Sequence, residues 1–314
     1  MNEINGAYCP DAFHIGFSKC ASTFLQAFFE EHAGVFLLNQ SHDLAPFEFT
    51  GFPEGKQRYL ELFGGAQSGQ VRLESDEHIV LPLFHPVLGA AATTLESVAE
   101  VSLRMKSINP AAKIIVVVRN QAGLLVSRYS EYVLCGGKSS FDEFVSEFLC
   151  CSKDGVNYYQ NHYAKILEIL ENDFSPDNVL MLLQEQLSRN EAETIERLSQ
   201  FLAIEPIRPS KRGMASRRVG LSSLGIKVVR GMNRILVKQQ KQSFNEARVR
   251  VPFLLYKVIQ RGLRIIDFYL PKAIKGDKNA ILTKEIRARI RSEFQGDNDK
   301  LGERLGTDLS EFGY

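Results

Sequence analysis

The sequence predicts an α/β fold of three layers around a central parallel sheet, and three observations carry that expectation. Ile114-Ile115-Val116-Val117-Val118 is an unbroken β-branched run, the composition of a central parallel strand covered on both faces. Strand-like and helix-like segments alternate from Ala12 to Leu202, as they do when helices cross between parallel strands. Ala12 through Phe29 reads as a strand, a short loop holding one lysine, and a helix opened by two hydroxyls. A helix start offers unpaired N–H groups and a partial positive charge, so this stretch has the build of an anion cradle.

In chain order, residues 12–17 are apolar enough for a buried first strand, and Ser22 or Thr23 starts a helix whose core side is Phe24, Leu25, Phe28 and Phe29. Val35–Leu38 is a second strand running out into the polar cluster Asn39-Gln40-Ser41-His42-Asp43. A short helix over 55–64 precedes a strand at Val71–Glu74, which ends in Ser75-Asp76-Glu77-His78. Helices are expected over 93–107, 121–134, 141–150, 157–172 and 190–202, with strands over 113–118 and 178–183. Pro206 and Pro209 mark a break, two long helical patterns follow near 221–240 and 248–270, Pro271–Asn279 is a second break, and a closing helix covers 283–304. In a parallel sheet, loops at the carboxyl ends of the strands gather where ligands bind, which puts His42 and Asp43 on the same crevice as Lys19. The chain is read as a single domain over 1–314, with 206–280 a basic helical insertion or acceptor-side subregion.

The 314 residues are enough for a sizeable core, and 44% hydrophobic with 24% charged residues describes an ordinary globular protein rather than a disordered chain. Five cysteines (Cys9, Cys20, Cys135, Cys150, Cys151) without CxxC spacing argue against a disulfide framework and a zinc site, so free thiols are expected. No apolar run approaches the ~18 residues of a membrane span, and Met1–Gly6 lacks a secretion-signal pattern; a cytoplasmic protein, at most peripheral to a membrane, is expected. Charge is uneven: residues 205–278 hold 18 Lys+Arg against 4 Asp+Glu, a net +14, which leaves −13 on the rest of a chain of net +1. A basic segment on an acidic body suits an anionic saccharide, a membrane surface or another subunit; a solvated basic face is the plain alternative. No nucleic-acid partner is expected.

Gly16 to Ser22 departs from the Walker pattern, which wants glycine directly before the lysine and a hydroxyl directly after it; here Ser18 precedes Lys19 and Cys20 follows. The β-branched strand ends on Arg119, a cation where a magnesium site would need a carboxylate. A metal-free phosphate site fits these residues better than an ATP–magnesium site.

Gly16-Phe17-Ser18-Lys19-Cys20-Ala21-Ser22-Thr23 resembles the G-x-P-K-x-G-T-[TS] signature with which sulfotransferases hold the 5′-phosphosulfate of 3′-phosphoadenosine 5′-phosphosulfate (PAPS). Glycine, lysine and both hydroxyls match in register; Ser18 for proline and Ala21 for glycine depart from it. Arg119 and Ser127, a strand-end arginine and a serine eight positions on, resemble the family's 3′-phosphate signature, with Leu124 where an arginine is common. A guanidinium grips phosphate through parallel charge-assisted hydrogen bonds, and a hydroxyl adds a neutral donor. Residues 179–202, with Gln184 in place of a usual tyrosine, and the tail from Phe294 to Tyr314 are similar to later parts of bacterial and carbohydrate-type members.

The resemblance implies a P-loop-like fold and a nucleotide-binding transferase that moves a sulfuryl group from PAPS to a hydroxyl, less often an amine, of a glycan or glycolipid. No metal is required. His42-Asp43-Leu44-Ala45-Pro46-Phe47 resembles the turn that carries the family's base, which makes Asp43 the first candidate and His42 the second, with His85, Asp76 and Glu74 behind them. Glu74, Ser75, Asp76 and His85 are candidate acceptor contacts, and Lys211-Arg212-Gly213 a further phosphate clamp. The rival readings are an ATP-dependent kinase and a non-catalytic nucleotide-binding or membrane-surface adaptor. A homo-oligomer is compatible with all three.

Overall fold

The computed structural model describes residues 9–17, 19–39, 56–76, 95–150, 162–208, 220–239 and 248–314. The chain divides into two compact units, the first made of Met1–Pro82, Ala92–Arg119 and His162–Arg217, the second of Leu83–Ala91, Asn120–Asn161 and Arg218–Tyr314. In chain order the elements of the first unit begin with β1 (Ala12–His14), α1 (Ser22–Glu31), β2 (Val35–Asn39), α2 (Lys56–Glu61), β3 (Val71–Ser75), α3 (Leu95–Ile108) and β4 (Lys113–Val118). The chain then supplies α4 (Gln121–Leu134) and α5 (Phe141–Cys150) to the second unit and returns with α6 (Tyr163–Phe174), β5 (Val179–Leu183), α7 (Gln184–Arg189) and α8 (Glu191–Leu202).

All five strands of the first unit are parallel, in the order β2-β3-β1-β4-β5. Ile114 through Val118 are fully buried, which is why that run is apolar without alternation. Beyond His14 the chain stays in register with β4: Ile15 N–H donates to Ile115 O (3.0 Å), Val117 N–H to Gly16 O (2.8 Å) and Phe17 N–H to Val117 O (2.9 Å). The lysine loop therefore springs from a backbone clamped to the central strand. Phe24, Leu25, Phe28 and Phe29 form the buried side of α1, with the Phe29 ring edge-on to His14 at 6.0 Å.

Two details differ from expectation here. The short helix α7 follows β5 directly, because Asn190 interrupts a continuous helix-forming run and its side chain accepts from Glu193 N–H (3.4 Å) to start α8 anew. The helix expected over 157–172 is described from Tyr163, and its last turn extends to Phe174.

The second unit adds α9 (Ser223–Leu236), β6 (Val237–Gln239), β7 (Arg248–Val249), α10 (Phe253–Tyr269), α11 (Lys272–Lys275) and α12 (Lys284–Leu305). Its core joins Leu125, Tyr129 and Val133 of α4 to Ile226 and Val229 of α9 and to Ile290 and Phe294 of α12. Two buried amides of this core are matched: Gln121 and Asn298 exchange amide hydrogen bonds of 2.8 and 3.2 Å, and Asn233 donates to Val133 O (2.7 Å) and Gly137 O (3.0 Å). The basic segment thus packs through its own apolar stripe on α4. The antiparallel pair β6–β7 within it was not expected, and the break at 271–279 holds a helical turn, α11.

Candidate active site

The lysine loop turns the chain from β1 into α1 through three residues of positive φ: Gly16 (108°), Lys19 (68°) and Ala21 (71°). Cys20 N–H and the Ser22 hydroxyl both donate to Phe17 O at 3.1 Å, which closes the loop on itself. Helix α1 then begins with Phe24 N–H and Leu25 N–H bonded to Ala21 O (2.9 and 3.2 Å), ahead of which lie the N–H groups of Ser22 and Thr23. Its N-cap, Ala21, has no side-chain acceptor for them, as is also the case at the starts of α6, α7 and α10, whereas α4, α8, α9 and α12 are capped by Asn120, Asn190, Ser222 and Thr283. What distinguishes the start of α1 is the lysine of the same loop, Lys19, which adds a full positive charge to these donors, the combination that suits an anion.

Ala21 occupies the position where the resembling signature has glycine, and its φ explains the preference. An L-residue in the left-handed region costs roughly 1–2 kcal/mol, partly offset by the lower chain entropy of alanine when unfolded. Ala21→Gly is expected to raise stability by about 0.5–1 kcal/mol in chemical denaturation, with the slope of the transition unchanged.

Arg119, one residue past β4, is held at both ends, its backbone by α6 and its side chain by this loop. Its carbonyl accepts from the Tyr163 hydroxyl (2.8 Å), and its Nη1 donates to Lys19 O at 3.4 Å. Its Nε is buried without a partner among the described residues. A buried guanidinium N–H without an acceptor is costly alone and suits a site that receives an anion. Loop, helix start and Arg119 are brought together by the β1–β4 pairing.

At the ends of β1 and β3 sits a second group that the sequence reading found only in part. Glu74 is 1% exposed, accepts from the Tyr59 hydroxyl, and is pushed up to about 8, first by burial. Across the register pair His14–Ser75, His14 Nδ1 lies 2.7 Å from Ser75 Oγ; burial lowers this imidazole to about 4 against the opposing pull of Asp76. Glu74 and Ser75, expected as acceptor contacts, are thus buried and bonded within the protein, and Asp76 beside them is buried too, its N–H donating to His14 O (3.0 Å).

These shifts act on stability in opposite senses. Between pH 4.5 and about 8 the folded chain holds a proton on Glu74 that the unfolded chain has released, so stability falls as pH rises through that window. Between about 4 and 6.5 the unfolded chain protonates His14 while the folded chain does not, so stability falls as pH drops there. The two slopes cancel where they overlap, leaving a decline above pH ~6.5 that belongs to Glu74. Glu74→Gln, which keeps an acceptor for Tyr59, is expected to remove that alkaline decline and to uncover the His14 acid limb between about 4 and 6.5; Tm measured against pH checks it.

Ser127 lies on α4, half-buried, in the second unit. Ser18, His42, Asp43, His85, Lys211 and Arg212 lie outside the described residues. Cys9, Cys20 and Cys135 take part in no disulfide among the described residues. Tyr163 and Tyr59 escaped the sequence reading, because each acts on a residue far along the chain; His14 was placed in the first strand, but only its pairing with Ser75 reveals a polar core position.

Sheet, lysine loop and Arg119 define an α/β protein of the P-loop-like class, with a candidate anion site at the end of its first strand. The chain matches the sulfotransferase domain family over residues 10–212 and belongs to it; it is a sulfotransferase, an enzyme of sulfuryl transfer. Among solved structures it is similar to the sulfotransferase from Alicyclobacillus acidocaldarius, with a TM-score of 0.58 at 16% identity, over 97% of this chain and 99% of that one. A mouse sulfotransferase, SULT7A1 complexed with PAP, aligns with a TM-score of 0.42 at 16% identity, covering 94% of this chain and 84% of that one. No curated protein sequence matches the chain.

Proposed function

We propose that this sulfotransferase takes its sulfuryl group from PAPS and passes it to a hydroxyl of a glycan or glycolipid. The observation that carries the donor assignment is the start of α1: donors without a side-chain cap, Lys19 beside them, and Arg119 bonded to the same loop with its Nε unpartnered among the described residues. When bound, PAPS supplies an activated sulfuryl group. Lys19 and the N–H groups of Ser22 and Thr23 bind the 5′-phosphosulfate and stabilise the negative charge that grows on the bridging oxygen as its bond to sulfur breaks. Arg119 holds the 3′-phosphate and so selects this nucleotide over ATP. Asp43 takes the proton of the acceptor hydroxyl as the new sulfur–oxygen bond forms, with His42 as the alternative base. The glycan or glycolipid acceptor rests on the resemblance of the Asp43 turn and of the tail.

Calorimetry tests the donor. Tight binding of adenosine 3′,5′-bisphosphate without magnesium is expected, and binding of ATP with magnesium alone would overturn the reading in favour of a kinase. A labelled-PAPS screen over glycans and lipids then identifies the acceptor, and absence of any transfer from a donor that binds tightly would favour an adaptor. With the acceptor in hand, Asp43→Asn is expected to lower kcat about 100-fold or more. If Asp43→Asn and His42→Ala both leave transfer intact, the base lies elsewhere.

A further inference from the structure

Helix α10 carries three stripes where a surface helix normally carries two. At about 100° per residue, Tyr256, Gln260, Leu263 and Asp267 fall on one line, and these are the positions turned to the core of the second unit. Gln260 donates to Leu134 O (2.7 Å), and Asp267 accepts from Ser222 N–H (2.9 Å) and from the Ser222 hydroxyl. Roughly a quarter-turn away run Lys257, Arg261 and Arg264. The side opposite the core, which ought to be polar, is Leu254, Val258, Ile265 and Tyr269, exposed to 76%, 60%, 52% and 78%. Ile266 and Ile274, 58% and 59% exposed, extend the same apolar character onto the end of α10 and α11.

Core packing accounts for Leu263 and leaves the others unexplained. A run of exposed apolar side chains this long marks an interaction surface rather than ordinary scatter. Charge selects the occupant. Within residues 223–275 there are 12 Lys+Arg against Glu246 and Asp267, and Asp267 is spent inside the unit on Ser222. A second copy meeting this face about a two-fold axis would set basic stripe near basic stripe. An anionic surface would be matched along the whole helix. No helix among the described residues is long and apolar enough to cross a membrane. At 17 residues and ~1.5 Å per residue, α10 suits a helix lying in the plane of the interface.

We propose that α10 docks the protein on an anionic phospholipid surface, with Leu254, Val258, Ile265 and Tyr269 entering the acyl boundary and Lys257, Arg261 and Arg264 meeting the headgroups. The proposal stands independently of the PAPS donor and of the acceptor. Cosedimentation of the full chain with phosphatidylcholine vesicles, with and without phosphatidylglycerol, tests it. The chain is expected to pellet with the anionic vesicles and to bind neutral ones far more weakly. Leu254→Glu with Ile265→Glu is expected to abolish pelleting. Arg261→Gln with Arg264→Gln should weaken binding to anionic vesicles about 30-fold and leave neutral vesicles unaffected. Both double variants alter only exposed positions, so thermal melting is expected to match the parent and certifies the fold. A parent chain that stays in the supernatant with anionic vesicles at low salt overturns the proposal. So does a parent that sediments as a dimer, is made monomeric by the glutamate pair, and shows no vesicle binding, which would assign the face to a second copy.

Discussion

Lys19→Ala is expected to slow sulfuryl transfer by about 100- to 1,000-fold, the range for removing one preorganised donor from a site of developing charge. The lysine sits between Gly16 and the start of α1, on a backbone held at φ 68°. Alanine keeps the Cβ and so neither relieves nor adds to the backbone strain; the loop bonds to Phe17 O come from Cys20 and Ser22, which the variant retains. The loss is therefore expected in kcat with the acceptor found by the labelled-donor screen, while Tm changes little. The α1 N–H groups remain, so residual binding of the nucleotide is also expected. A variant that loses nucleotide binding entirely and keeps no residual turnover would mean that Lys19 holds the ground state rather than the leaving group.

Arg119→Lys is expected to weaken binding of adenosine 3′,5′-bisphosphate by about 30-fold, roughly 2 kcal/mol, because an ammonium replaces a fork of N–H donors by a point charge. Arg119 also donates to Lys19 O, so part of any effect could travel through the loop. Adenosine 5′-monophosphate separates the two contributions. It lacks the 3′-phosphate, and its affinity should change several-fold less than that of the bisphosphate. Equal losses for both nucleotides would reduce Arg119 to a prop of the lysine loop.

Much of this was legible in the sequence, for identifiable reasons. The run Ile114–Val118 announces a doubly covered strand because only a parallel central strand is buried on both faces. The helix over Gln121–Leu134 was bounded correctly, since its limits are local: Asn120 caps one end through Gly123 N–H (2.7 Å), and Gly136, at φ 94°, follows the other. Helix α7 is not legible, because six residues are too few for a helical period to show. The end of β3 is legible from the strand pattern, whereas the burial of Glu74 beneath Tyr59 and of Ser75 beside His14 depends on side chains that arrive from elsewhere.

By itself the sequence determined the parallel sheet, the lysine loop ahead of α1 and the strand-end arginine, because periodicity, turn chemistry and short spacings are written within a few residues of one another. Only the tertiary structure decided that Arg119 reaches the Lys19 carbonyl 100 residues away, that Ala21 leaves α1 uncapped in a left-handed turn, and that Leu254, Val258 and Ile265 face outward while Leu263 packs inward. Burial and hydrogen-bond partnership are properties of neighbours in space. An apolar residue on a helix reads the same in sequence whether another helix or open solvent lies across from it.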